Sequence, residues 1–301
     1  MRRLGPILAL VLAVVAGGCR EPSPAAPTVV VGVGSTTEQR VLAALTVAAL
    51  DTAGVTAEVR SDLGGTIGLR RAAIGGNIDV FWDYTGAAWA LGMGQQAPPS
   101  DPEESYQRVA RADEANGLTW GVPSHANATL ALFVRRNNLP TAQRPRGLGW
   151  LAGLLSAGEK HLCADQEFIT SPGGLEALAS AYAIDVQRLR QVTIPATEEH
   201  AVSGVAKGRC FAGLATATSG EALEAGLVPV ADDLRVFPAF VVAPVSRAER
   251  LQAMPQLGRA VDSVAALLDT ATLAQLNARV VRGDDPAEVA HDLLSRTARG
   301  S

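Results

Sequence analysis

The sequence predicts an α/β fold of two lobes, with two segments of the chain crossing between them. Three observations carry this. β-Branched runs alternate with Ala/Leu-rich stretches through the first third of the chain, the pattern of βαβ units on a parallel sheet. After a loop-like stretch rich in Asn, Pro and Gly at residues 136–148, the alternation starts again, as a second lobe requires. An apolar run at residues 236–245 is then followed by three helical stretches, so it reads as a strand returning the chain to the first lobe. At about 150 residues per domain, a chain of 301 residues holds two such cores. The expected limits are residues 28–132 with 241–301 for the first lobe and 133–240 for the second.

Residues 1–18 read as a signal peptide. Arg2-Arg3 precede an apolar run over residues 4–16, which is too short to span a bilayer, and Gly17-Gly18 follow. Ala16, Gly17 and Gly18 before Cys19 resemble a bacterial lipobox, with Ala16 where that motif usually carries Leu. Cys19 is therefore expected to be lipidated and to anchor the chain outside the cytoplasm. Residues 19–27, with Pro22, Pro24 and Pro27, form a tether that can join neither helix nor sheet.

Residues 28–33 read as a buried strand, 38–52 as a helix and 55–60 as a second strand. Gly64-Gly65-Thr66 makes a turn, residues 67–74 a helix and 78–82 a third strand. An irregular connection over 92–103 leads to a polar helix at 104–116, and 129–135 is another strand. In the second series, strands fall near 161–164, 191–194 and 211–215, and helices near 174–182 and 199–207. The C-terminal helices are expected at 247–268, 270–281 and 286–297. Asp285 is a good N-cap for the last and Pro286 a good first helical residue.

Composition excludes several functions. Lys and Arg number 26 against 30 Asp and Glu, for a net charge of −4, so no broad basic surface is available for nucleic acid. Three cysteines without C-x-x-C spacing offer neither a zinc site nor a dithiol redox pair. If Cys19 carries lipid, Cys163 and Cys210 remain as an even pair that an oxidising compartment could join, with two separate buried thiols as the alternative. Gly32-Val33-Gly34-Ser35-Thr36-Thr37 is a partial dinucleotide fingerprint, with Asp62 posing as the ribose-binding acid, but Thr37 replaces the third glycine. What survives is a set of amides and hydroxyls at Ser35, Thr36 and Thr37, at the N-terminus of a helix. His125, His161, His200 and His291 lack metal-ligand spacing, and no Gly-x-Ser-x-Gly elbow is present. No enzyme, cofactor or metal site is expected.

The most informative segment runs Gly64-Gly65-Thr66, a helix, then Gly76-Asn77-Ile78-Asp79-Val80-Phe81-Trp82-Asp83-Tyr84-Thr85-Gly86. It resembles the substrate-binding proteins of ABC importers for glycine betaine, choline and related quaternary-ammonium osmoprotectants. The likeness continues through Gly34-Ser35 with Thr37-Glu38-Gln39, Asn127 to Val134, Glu167-Phe168 with Gly174-Leu175, Phe237-Pro238 with Ala243-Pro244-Val245, and Asp284-Asp285-Pro286. It covers essentially all of the chain after the tether, in the expected order. The resemblance implies a periplasmic-binding-protein-like fold (type II) that closes on a small polar solute like a hinged trap. It also implies delivery to a permease and an ATPase on separate chains. The expected protein is a monomer that touches the membrane through its lipid and binds no nucleic acid. The same fold used as a sensor or assembly lipoprotein, or for a different solute, is the alternative.

In proteins it resembles, tyrosines cage the ammonium head through the negative faces of their rings. Here Tyr84 matches the Tyr of the family's Tyr-Thr-Gly-Thr motif, followed by Thr85, with Ala87 in the fourth place. Leu130 and Thr216 stand where further cage tyrosines are expected, Ala128 where the family has Asn, and Phe240 takes the place of the last ring. A basic or amide residue expected soon after Ser35 is absent, and an Arg expected after Phe168 is replaced by Ser171. Trp82 lies two residues before Tyr84, on the same face of an extended strand, with core packing as its competing role. The expected ligand-binding set is Tyr84, Trp82, Thr85, Phe240, Asn127, Ser35, Thr36, Thr37 and Thr216.

Overall fold

The computed structural model describes residues 28–96, 98–139 and 147–300, so the expected signal peptide, Cys19 and the expected tether lie outside the described residues. Val29–Gly32 forms β1, Ala57–Arg60 β2, Val80–Tyr84 β3 and Leu118–Trp120 β4. Leu130–Arg135 forms β5, Leu162–Ala164 β6, Thr193–Pro195 β7, Ala212–Thr216 β8, Leu227–Pro229 β9 and Val242–Arg247 β10. They make two five-stranded sheets, ordered β2-β1-β3-β10-β4 and β7-β6-β8-β5-β9.

Neither sheet is purely parallel, which corrects the expectation from alternation. β1 runs parallel to β2 and β3, but β10 is antiparallel to β3 and β4. In the second sheet β6 runs parallel to β7 and β8, while β5 is antiparallel to β8 and β9. The antiparallel members are the first strand after each crossing. A strand that enters a sheet from the other lobe is under no βαβ constraint on its direction. β5 belongs wholly to the second sheet, so the first crossing lies before Leu130 and the expected limit at residue 132 falls inside a strand.

Burial explains the elements. The Thr37–Thr52 helix turns Val41, Leu42, Leu45 and Leu50 inward onto Val29, Val31 and Val80 of the first sheet, with Val261, Val264 and Leu273 packed from the C-terminal helices. Each such side chain stabilises the fold by about 1.5–3 kcal/mol when removed from water. A second core gathers Leu132, Val134, Leu162, Ala212 and Leu214 under Leu148, Leu151 and Leu155. The helix expected over 247–268 is two helices, Ala248–Ala253 and Pro255–Ala265. Pro255 lacks the amide needed to continue the first and serves as the opening residue of the second.

The two crossings run side by side. The Ala128 amide donates to the Phe240 carbonyl at 2.9 Å, and Val242 N–H to the Ala126 carbonyl at 3.1 Å. Thr129 Oγ1 donates to the Pro238 carbonyl at 2.6 Å. Backbone and side-chain bonds of this kind leave the two lobes joined by a narrow double ribbon. Within the second lobe, Cys163 on β6 is bonded to Cys210 in the turn before β8, with Cα atoms 5.9 Å apart. Among the described residues no helix is long and apolar enough to cross a membrane.

Candidate functional site

A cleft of ≈ 700 Å³ opens where strand ends of both sheets meet the crossings. From the first sheet come Tyr84, the last residue of β3, and Ser35, Thr36, Thr37 and Glu38 at the entry to the Thr37–Thr52 helix. The second sheet contributes Thr216 at the end of β8 and Glu198 at the start of the Glu198–Ala206 helix. Leu130 enters as the first residue of β5, Phe240 from the second crossing, and Asn277 from the Thr270–Val281 helix. In open α/β sheets, ligands bind in this kind of crevice beyond the strand carboxyl ends. A larger hollow of ≈ 840 Å³ sits on the outside of the first lobe, between the Thr37–Thr52 helix, residues 54–57 and residues 285–287, and its lining carries no aromatic ring.

Six of the nine expected residues line the cleft: Tyr84, Phe240, Ser35, Thr36, Thr37 and Thr216. The other three do not. Trp82 shares the face of Tyr84 but lies two residues deeper, about 6–7 Å along the strand. It is 3% exposed and donates its Nε1–H to Thr46 Oγ1 at 2.8 Å, so it is core. Thr85 is fully buried at the crossing, where its Oγ1 donates to the Ala239 carbonyl and accepts from the Val241 amide, each at 3.1 Å. Asn127 acts one step removed, its Oδ1 accepting from the Phe240 amide at 2.7 Å and so holding that ring's backbone. Gly86 completes the seat of Phe240, since a Cβ there would lie 2.5 Å from the ring.

Sequence reasoning missed Glu38, Glu198 and Asn277. Asn277 Nδ2 donates to Glu38 Oε2 at 2.7 Å and to the Thr218 carbonyl, which follows β8, at 2.9 Å, linking residues of both lobes. Glu38 also accepts hydrogen bonds from Tyr84 and Thr218, yet burial pushes its carboxyl above the usual carboxylate range. Burial, followed by the Glu38 charge, drives the Tyr84 phenol far upward, so it is neutral. Glu198 accepts from the Thr216 amide at 3.3 Å and its hydroxyl at 3.4 Å, and burial raises its carboxyl too. One signal was available: Glu38 is an acid in the first turn of a helix whose N-terminus was already suspected. Nothing in sequence spacing brings Asn277 to it.

Behind the cleft wall lies a charged cluster. Arg70 donates to Asp83 Oδ2 at 3.2 Å and to Asp113, and the three side chains are at most 4% exposed. Asp83 in turn accepts from the Tyr84 amide at 2.9 Å and Thr66 Oγ1 at 3.4 Å. Trp120 Nε1 donates to Asp113 at 2.7 Å. Burial pushes the Asp83 carboxyl up to about 6, against the opposing pull of Arg70. The cluster fixes the backbone from which Tyr84 projects.

The lobes also touch beside the cleft, where Gly220 of the Gly220–Glu224 helix lies on the backbone of the Thr270–Val281 helix. A Cβ on Gly220 would fall 2.6 Å from Ala278 N and Asn277 C. Backbone cannot yield as a side chain can, so Gly220→Ala is expected to cost roughly 1–3 kcal/mol. Chemical denaturation would read this as a lower midpoint at unchanged slope.

Two α/β lobes on a paired crossing, with a polar and aromatic cleft at the strand ends, define a solute-binding protein that captures a small molecule between its lobes. Residues 27–296 match the family described as the substrate binding domain of ABC-type glycine betaine transport systems, and the chain belongs to that family. It is 33% identical over 284 residues to a glycine-betaine-binding protein of Pseudomonas aeruginosa, covering 89% of this chain and 88% of that protein. The glycine betaine-binding protein YehZ of Escherichia coli is 31% identical over 288 residues, covering 91% and 92%. The solved structure of apo YehZ, at 29% identity, superimposes with a TM-score of 0.79 over 90% of this chain and 98% of that one. Members of the family are extracytoplasmic and work with a permease and an ATPase.

Proposed function

We propose that the protein captures a quaternary-ammonium solute, of the glycine betaine and choline kind, in the cleft between its lobes and presents it to an importer's permease. The observation that carries this reading is the pairing of two aromatic side chains, Tyr84 and Phe240, with carboxylates Glu38, Glu198 and Glu221 along one cleft. A trimethylammonium group is satisfied by ring faces and by anions, and needs no hydrogen bond of its own. Each desolvated ring contact contributes about 0.5–2 kcal/mol. Two rings in place of a full cage make for a weaker hold on the head, with the carboxylates compensating.

In this reading Ser35, Thr36, Thr37 and Thr216 line the solute's polar end. The lobes comprise residues 28–129 with 242–300 and residues 130–241, the protein is a monomer without catalytic activity, and Cys19 holds it to the membrane by lipid. The relatives named for glycine betaine binding support the solute class.

The test is thermal denaturation with choline, glycine betaine and carnitine at millimolar concentration. A ligand that binds only the native state raises the melting temperature, by about 2.7 kcal/mol of stabilisation at a hundred times Kd, and a rise of several degrees is expected for at least one. Flat melting curves with all three would sink the solute assignment.

Acid should weaken capture. A bound cation favours ionised Glu38, whose carboxyl is raised by burial and faces Tyr84, Asn277 and Thr218, with Glu198 and Glu221 also on the cleft. Binding therefore expels a proton, and affinity is full above the raised pKa of Glu38 and falls as pH drops through it. Isothermal titration between pH 7.5 and 4.5 should show this fall, and Glu38→Gln should flatten it.

A further inference from the structure

We infer that the outer face of the Thr66–Ile74 helix, with Leu91 beside it, is the surface on which the importer's permease docks. The inference rests on the reading that the cleft loads an importer, and goes beyond it by assigning the contact. The helix buries Leu69, Ala72 and Ala73 against the first lobe. Its opposite side would ordinarily be polar. Instead it carries Ile67, Arg71 and Ile74, spaced i, i+4 and i+7, so that they form one exposed stripe. Ile67 is 52% exposed and Ile74 53%, and Leu91, which lines the same groove of ≈ 440 Å³, is 58% exposed. Apolar side chains exposed singly need no explanation, whereas three gathered on one groove mark a contact surface.

The position of this face identifies its occupant. Gly65 and Thr66, immediately before Ile67, line the solute cleft, and Leu91 lines both the cleft and the groove. The face is therefore the shoulder of the cleft mouth, continuous with the solute's route. A partner that takes solute from the cleft covers it.

Arg71 sets the partner's chemistry. Its neighbour Arg70 is committed to Asp83 and Asp113, but Arg71 makes no ion pair among the described residues. An arginine set among exposed apolar side chains has the composition of an interface centre. Its complement is an apolar segment of the permease carrying a carboxylate.

Binding of the protein to the importer's permease–ATPase complex, immobilised in detergent, tests this. The wild type is expected to bind saturably and more weakly as salt rises. The paired Ile67→Gln and Ile74→Gln variant should bind the complex about ten-fold more weakly or worse. It should keep the wild type's rise in melting temperature with choline, glycine betaine or carnitine, since neither isoleucine lines the cleft. Arg71→Glu should also bind more weakly and lose the salt dependence, and it provides the readout should the paired variant fail a circular-dichroism check of its fold. Val59→Gln, on the outer hollow, should bind like the wild type. Undiminished binding by the folded paired variant, or no binding by the wild type, would overturn the docking surface. Self-association of the wild type that the paired variant loses, seen by sedimentation velocity, would give the face to a second copy and overturn it as well. A melting temperature unmoved by all three solutes would overturn the quaternary-ammonium reading and leave the docking result standing.

Discussion

Replacing Arg70 by Met is expected to destabilise the protein by about 3–5 kcal/mol at neutral pH, because it strands two buried carboxylates. Asp83 and Asp113 are 1% and 0% exposed, and each depends on the guanidinium between them. The pair's net worth against an apolar isostere is small, but breaking it from one side leaves uncompensated charge. The sign of the pH dependence follows from Asp83, whose carboxyl stands at about 6 in the folded chain against an ordinary 3.8. Between those values the native state holds more protons than the unfolded one, so this group's contribution to stability falls as pH rises. Loss of Arg70 removes the pull that opposes burial at Asp83 and so raises that carboxyl further, and the variant's deficit should therefore shrink on acidification from pH 7.5 to 5. Urea denaturation at the two pH values measures it. A deficit under 1 kcal/mol at pH 7.5, or one that grows in acid, would show that the cluster is not held as described. Since the same cluster anchors the Tyr84 amide and Thr66, a folded fraction of the variant should also bind solute more weakly.

The second large effect concerns Cys163 and Cys210. Their bond closes a loop with a sequence separation of 47, and a chain-entropy treatment gives such a loop roughly 4 kcal/mol of stabilisation. The paired Cys163→Ala and Cys210→Ala variant should lose about that much, with its damage confined to the second lobe. Reductant should lower the melting temperature of the wild type and leave the double variant where it is. A wild-type melting curve unmoved by full reduction would contradict the bond's contribution.

Much of this architecture could be read from residues alone. The β-branched run before Gly32 and the Ala/Leu periodicity after Thr37 could only be a buried strand and its covering helix, and they are. Short elements escaped because their signals are weak: β4 and β9 have three residues each. The Leu148–Ser156 helix contains Gly149 and Gly153, which lower helix propensity, and the sequence reading assigned no helix there. At the site, Tyr84 and Phe240 were legible because aromatics are scarce, at 4% of the chain, and stand at matched motif positions. Trp82 and Thr85 misled for one reason: strand alternation gives the face of a side chain and not its depth from the sheet edge. Trp82 lies under Thr46, and Thr85 under the crossing at Ala239–Val241, which is separated from it by more than 150 residues. Glu38 looked like an ordinary helix-terminal acid. Only the arrival of Asn277 and Thr218 turns it into a buried group of the cleft.

The central claim is that the ring faces of Tyr84 and Phe240 hold an ammonium head between the lobes, and titration of choline into the wild type and the paired Tyr84→Ala and Phe240→Ala variant tests it most directly. Two contacts of about 0.5–2 kcal/mol each correspond to a loss of roughly ten- to a thousand-fold in affinity at about 1.4 kcal/mol per decade. Saturable one-site binding to the wild type and a loss of that size in a variant that keeps its fold is the expected result. Equal affinity for choline in both proteins would contradict the account.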